Sequence, residues 1–334
     1  MTTAYRVLVI GGTTNFATEL SGVDRELLAL ARLRAGVGQG GTQLGVLTFA
    51  QGSTDVAQFY AKQGAARVFA PAQSMTDALP AARVELAVQA INEFGPDLVL
   101  APHDIDSIEL LGRVAVRLGN SEAGARSMGV VTGAHDVDDA LNIRKNVLAG
   151  EYDSTVRVEG LPLVTLRPNS VDTAAAPAAM GEGVLTTYTL PEYDTVRITE
   201  ITEKPTSARP NLEEAAIVVA AGRGIGGNLA PIEDMADALG AAIGSTRAVT
   251  DAGWLDHSTQ IGQTGKSVSP ELYVSVGISG ALQQKVGMDT SKTIVAINKD
   301  ADAPIFEIAD FGVIGDLFTV IPQAVEEIRK RRNA

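Results

Sequence analysis

Residues 254–318 read WLDHSTQIGQTGKSVSPELYVSVGISGALQQKVGMDTSKTIVAINKDADAPIFEIADFGVIGDLF, and they decide the fold. Two short uncharged runs stand out, Leu272–Ile278 and Thr293–Ile297. Their length and β-branched content suit strands buried on both faces of a parallel sheet. Polar and glycine-rich residues gather at the carboxyl ends of these runs: Ser279-Gly280-Ala281 after the first, Asn298-Lys299-Asp300 after the second. Open α/β sheets bind ligands there. Ser279 and Gly280 are expected to open a helix whose free N–H groups suit a pyrophosphate. Gly262-Gln263-Thr264-Gly265-Lys266 forms a second polar loop, with several hydrogen-bond donors and glycines that permit close backbone approach. This chemistry points to a phosphate-bearing ligand with a flat polar ring.

Outward from that block, the expectation is an α/β protein of two domains, each with a mainly parallel sheet flanked by helices. At 334 residues the chain is long enough for two cores. Tyr5–Ile10, Gln43–Phe49, Ala66–Ala70 and Asp97–Ala101 read as strands. They alternate with helical patterns over Asp24–Ala35, Ser53–Lys62, Pro80–Phe94 and Ser107–Leu118. After residue 128 the rhythm changes. Ser154–Val158, Leu163–Leu166, Val184–Thr189 and Val196–Glu200 read as added antiparallel strands completing the first domain, residues 1–202. The polar stretch 203–212 (EKPTSARPNL) is the expected linker. The second domain, 213–334, opens with a strand at Ala215–Ala221, a helix at Pro231–Ile243 and a strand at Thr246–Thr250. It closes with a helix from Pro322 that ends in four cations, Arg329–Arg332, which suit the helix dipole.

Composition removes several function classes. The chain has no cysteine, so it offers no disulfide, thiolate zinc site, cysteine-held iron–sulfur cluster or cysteine nucleophile. A net charge of −13 and an aromatic share of 4% argue against binding nucleic acid. No apolar run is long enough to span a bilayer, and MTTAYRVLVIGG reads as a first strand, so a cytoplasmic protein is expected. His103 with Asp104 reads as a loop with a capping aspartate, and His135 with Asp136, Asp138 and Asp139 as a solvated acidic turn. Asp256-His257-Ser258 is not a triad merely because its members adjoin. No residue is assigned to catalysis or to a metal.

QIGQTGKSVSPELYVSVGISGALQQ (260–284) with SKTIVAINKDADAPIFEIADFGVIGDLF (291–318) closely resembles the alpha subunit of electron-transfer flavoprotein. The resemblance implies FAD on the second domain, contact of the first with a beta subunit, and electron passage from flavin dehydrogenases to a downstream acceptor. It also implies that the beta subunit carries AMP or, in electron-bifurcating relatives, a second FAD. The protein would then be a redox carrier without a substrate turnover of its own. Carried onto this chain, the family's FAD-binding positions are Arg223, Thr246, Arg247, Ile261, Gly262, Gln263, Thr264, Ser279, Gly280, Ala281, Leu282, Gln283 and Gln284, with Asn298, Asp316 and Leu317 at the adenosine end. Arg247 would be the fixed cation beside the ring and Thr264 the donor near flavin N5, with Asp316 accepting from ribose. Lys266 and Lys299 also match family lysines. Most relatives have histidine at the position of Gln284. Glutamine can donate there but cannot become positive, so the charge of a singly reduced flavin would be held less firmly and with less pH dependence. A rival reading takes Gly222–Gly227 as the G-x-G-x-x-G of an NAD-dependent dehydrogenase. Another is a nucleotide-binding or interaction protein without redox chemistry.

Overall fold

The computed structural model describes residues 5–11, 20–36, 43–75, 80–119, 127–148, 152–176, 180–190, 200 and 209–332. The chain divides into two compact units, one of residues 1–146 with 153–203 and one of residues 147–152 with 204–334.

In the first unit, strands β1 (Val7–Ile10), β2 (Leu44–Leu47), β3 (Arg67–Pro71) and β4 (Leu98–Pro102) alternate with helices α1 (Gly22–Arg34), α2 (Thr54–Ala61), α3 (Pro80–Phe94) and α4 (Ile105–Gly119). Ser21 and Ser53 cap α1 and α2 by accepting from Asp24 N and Val56 N. Asp104 does the same for α4 through Ser107 N at 2.6 Å. These are the side-chain oxygens that orphaned first-turn N–H groups need. Next come β5 (Met128–Val137), β6 (Ile143–Val147), β7 (Tyr152–Val156), β8 (Leu161–Leu166) and β9 (Val184–Tyr188). The strands join in the order β7-β6-β5-β8-β4-β1-β2-β3-β9.

The expected antiparallel completion is only partly found. β5 and β6 do pair antiparallel. Leu163–Leu166, however, lies in β8, which runs parallel to both β4 and β5, and Val184–Thr189 lies largely in β9, parallel to β3. β8 is buried along its whole length, and that is the signature of a parallel interior strand. β5 and β6 were not anticipated. The Val196–Glu200 strand and most of the 203–212 linker fall outside the described residues.

The second unit contains β10 (Ile217–Ala221), α5 (Ala230–Leu239), β11 (Ala242–Ser245), α6 (Arg247–Asp251), β12 (Leu272–Val276), α7 (Leu282–Lys285), β13 (Ile294–Asn298), β14 (Phe311–Ile314) and α8 (Leu317–Arg332). Its sheet, ordered β11-β10-β12-β13-β14, is parallel throughout. Alternate residues of each strand enter different cores. Val219, Ala221, Val274 and Val276 pack with Ile232 and Met235 of α5 and Ile321 and Val325 of α8. Val218, Ala220 and Tyr273 face Ile261, Val268 and Met288. That period of two is the pleat expressed as packing.

Four local expectations are corrected here. The helix expected to reach Ile243 stops at Leu239, where Gly240 takes φ 68° and its N–H bonds back to the last turn. β11 then runs from Ala242 to Ser245, and of Thr246–Thr250, expected as a strand, Thr246 stands at the cap of α6 and the other four lie in that helix. Ser279 and Gly280 do not open a helix; α7 begins at Leu282 and is four residues long. Finally, α8 starts at Leu317, so Pro322 sits inside it rather than at its head. Asp316 caps that helix, accepting from Phe318 N at 3.0 Å. A helix start marked by aspartate competes with one marked by proline, and the aspartate prevails.

Candidate functional site

β10 lies between β11 and β12, so the chain reverses its direction of winding between β10 and β12. The loops that follow those two strands touch. Gly222 N donates to Val276 O at 2.8 Å, and Gly224 N donates to Gly277 O at 3.1 Å. A Cβ on Gly222 would lie 2.2 Å from Gly277 O. Gly222 and Gly224 therefore serve a backbone-to-backbone approach. Arg223–Ile225 forms a single 3-10 turn, and α5 begins only at Ala230. This geometry does not favour the dehydrogenase reading, in which the glycines admit a pyrophosphate to a helix that opens at once.

Every residue that the resemblance assigned to flavin lies in the second unit, at the carboxyl ends of its strands or in the loop 261–264. Arg223 follows β10 and is exposed. Thr246 and Arg247 follow β11, with Thr246 N held by Ala221 O at 3.0 Å. Residues 279–284 follow β12, Asn298 ends β13, and Asp316 and Leu317 follow β14. The loop Ile261–Thr264 is drawn to the same edge because Ile261 N bonds Ser245 O at 2.8 Å and Gln263 N bonds Gln283 O at 2.8 Å. Residues scattered over ninety-five positions of sequence thus share one sheet edge.

Within that set the side chains differ in what they are free to do. Arg223, Gln263, Thr264, Ser279 and Gln283 are exposed. Arg247 is exposed too and pairs through Nε with Asp251 at 3.2 Å, one helical turn on. Thr246 Oγ1 is buried and has no hydrogen-bond partner among the described residues. A buried hydroxyl without a partner is costly unless something else satisfies it. A ligand lying across the strand ends would do so.

Four assigned residues also have structural work. Gln284 is 7% exposed, and its Nε2 donates to the hydroxyl of Tyr273 at 3.0 Å. Burial pushes the Tyr273 phenol well above its usual pKa, while the bond from Gln284 acts in the opposite direction. Asn298 Nδ2 donates to Ile278 O at 2.8 Å and ties down the loop after β12. Asp316 is the cap of α8 already described, and Leu317 is core, 7% exposed. Of the two lysines, Lys266 pairs with Glu213 at 2.7 Å and Lys299 is exposed.

Sequence reasoning missed Gln260 and Thr250. Thr250 Oγ1 reaches Gln260 Oε1 at 3.1 Å, and Gln260 Nε2 reaches Thr264 Oγ1 at 3.0 Å. Both residues are buried. No periodicity marks them, since their link joins a helix to a loop. The Arg247–Asp251 pair was findable from its i,i+4 spacing.

Chemically, the strand-end set can hold an extended ligand with backbone N–H groups, hydroxyls, amides and two arginines. Among the described residues no helix is long and apolar enough to cross a membrane.

Two family models match. The electron transfer flavoprotein domain covers residues 13–193, and the electron transfer flavoprotein FAD-binding domain covers residues 211–289. The chain is 39% identical over 301 residues to the electron transfer flavoprotein subunit alpha of Syntrophomonas wolfei, across 87% of this chain and 91% of that protein. It is 40% identical over 273 residues to the subunit of the same name from Mycobacterium leprae, across 80% and 83%. With that of Bacillus subtilis the identity is 32% over 329 residues, across 97% and 98%. A parallel sheet with its polar loops at one edge, a FAD-binding domain match over that edge, and similarity along nearly the whole length lead to one conclusion: the chain belongs to the electron transfer flavoprotein alpha-subunit family.

Proposed function

We propose that this chain binds FAD across the carboxyl ends of β10–β14 and works, with a beta subunit, as a redox carrier. FAD, when bound, takes up and releases electrons one at a time, so the chemistry is the cofactor's and the chain supplies position and field. Arg247 places a cation that cannot lose its proton beside the ring, and its Nε pairs with Asp251 one turn on. Thr246 offers an unpartnered buried hydroxyl to the same ligand. Thr264, Gln263 and Ser279 present donors from the loops on either side. Fixed donors and a fixed cation stabilise negative charge most where water is excluded.

The observation that carries this reading is the gathering of all these residues at one edge of a single parallel sheet. In the same reading residues 213–334 are the FAD domain, residues 203–212 the linker, and residues 1–202 the part that meets the beta subunit. That partner carries AMP or a second FAD. Flavin dehydrogenases deliver electrons to the pair and an acceptor removes them, in the cytoplasm. Coexpression of this chain with the beta subunit, followed by a flavin count per heterodimer, tests the proposal. At least one FAD per heterodimer is expected, lost or weakened in Thr246→Val. A colourless heterodimer that stays colourless after incubation with FAD rejects it.

A further inference from the structure

We propose that Gln260 is a positioning residue that fixes which way the Thr264 hydroxyl points its proton. The inference rests on the reading above, in which Thr264 faces flavin N5. The observations are a chain of three side chains. Thr250 Oγ1 lies 3.1 Å from Gln260 Oε1, and Gln260 Nε2 lies 3.0 Å from Thr264 Oγ1. Gln260 is 7% exposed and Thr250 4%, whereas Thr264 is exposed. The relay therefore runs from the buried interior of the unit to the ligand edge.

Its direction follows from what each group can do. A carboxamide oxygen only accepts and its nitrogen only donates, while a hydroxyl has one proton and two lone pairs. With Oε1 toward Thr250, that hydroxyl donates to Gln260. With Nε2 toward Thr264, the Thr264 oxygen accepts. The single proton of Thr264 is then not used inward and is available to a ligand. Reversing the amide would invert this, since Oε1 would draw in the Thr264 proton and leave only a lone pair facing out. Thr250 Oγ1 also lies 3.0 Å from Arg247 O. Arg247 O is a second acceptor for the one Thr250 proton, which is therefore shared between it and Gln260 Oε1. The shared proton sits on the same turn of α6 that carries Arg247, so the proposed cation and the proposed N5 donor share one support.

Backbone hydrogen bonds also anchor the chain around Gln260. Its N–H bonds His257 O at 3.1 Å, and its O accepts from Lys266 N at 2.7 Å. Ser245 Oγ meets Thr259 Oγ1 at 2.8 Å. The side-chain link is thus built on a fixed frame, as a positioning role requires.

Gln260→Glu tests the polarity with almost no change in shape. An ionised carboxylate accepts only, so it turns the Thr264 proton inward. The measurement is the 15N resonance of N5 in oxidised FAD labelled at that atom, bound to the whole heterodimer. A hydrogen bond to such a nitrogen moves its signal upfield. In Thr264→Val and in Gln260→Glu the signal is expected to shift downfield by the same amount, with flavin still bound. Thr250→Val, which removes the orienting donor from the far end, is expected to give an intermediate shift. If Thr264→Val moves the resonance but Gln260→Glu and Thr250→Val leave it at the parent position, the relay is overturned while the flavin assignment stands. If Thr264→Val itself moves nothing, Thr264 does not face N5, and both the relay and that assignment fall. Should Gln260→Glu not fold, Thr250→Val decides the outcome on the same criterion.

Discussion

Gly222→Ala probes the contact that joins the loops after β10 and β12. The added Cβ would stand 2.2 Å from Gly277 O, 2.5 Å from Gly277 C and 2.6 Å from Ile278 N. All three are backbone atoms, so no side chain can swing aside. Ordinary non-bonded separation is about 3.5 Å, and the loops must part by about 1 Å. That stretches Gly222 N to Val276 O, now 2.8 Å, and Gly224 N to Gly277 O, now 3.1 Å, toward or past bonding range. Overpacking costs about 1–3 kcal/mol, and each weakened backbone bond adds about 1 kcal/mol. The total is about 3–5 kcal/mol. Backbone conformation adds nothing, because φ at Gly222 is −102° and suits alanine. Gly226→Ala is the matched control. There φ is 59° but nothing lies within 4 Å of the new Cβ, so only the left-handed penalty of about 1–2 kcal/mol applies. Urea unfolding of the heterodimer, followed by flavin release and by far-UV dichroism, measures both variants. Gly222→Ala should lose more stability than Gly226→Ala, and its flavin content should fall with it. If Gly222→Ala unfolds within 1 kcal/mol of the parent and keeps its flavin, the argument from loop contact fails.

Tyr273→Phe strands the buried Nε2 of Gln284 and should cost about 1–3 kcal/mol in urea unfolding. Adding Gln284→Leu should recover most of that, and a double variant no better than the single would show that the pair is not coupled. Arg247→Ala should change stability by less than about 0.5 kcal/mol, because its pair with Asp251 is exposed and one turn apart. The flavin reduction potential should nevertheless fall, and an unchanged potential would remove Arg247 from the site. In the first unit, burial and then the nearby charges of Arg167 and Lys145 lower the pKa of His103 to about 4. The unfolded imidazole titrates near 6.5, so the unfolded chain binds the proton more tightly. This stability is therefore whole above about pH 6.5 and is lost as pH falls toward 4, by on the order of 2–3 kcal/mol. Unfolding free energies at pH 7 and pH 4.5 should differ less in His103→Gln than in the parent, and equal differences would refute the assignment.

The sequence by itself determined the α/β class and most of the strands. Uncharged β-branched runs such as Leu272–Val276 leave little choice when both faces must be buried. It also indicated which polar loops share one edge, because residues after such runs fall where parallel strands end. The motif of residues 260–318 was specific enough to indicate the family before any geometry was known. Local signals went astray where two of them competed. Thr246–Thr250 has strand-like residues, but Gly240 ends α5 early enough for β11 to form before it. Leu163–Leu166 and Val184–Thr189 carry no mark of strand direction, which depends on the neighbour each strand finds in the sheet.

What Gly222 and Gly224 are for was visible only in the folded chain, since the partner of both, Gly277, lies more than fifty residues away. The tertiary fold alone turned Gln284 inward to Tyr273 and linked Thr250, Gln260 and Thr264 into one chain. Periodicity records which way a side chain faces from its own element. Hydrogen bonds between elements depend on how the strands are ordered, and that order is settled only when the whole sheet closes on its core.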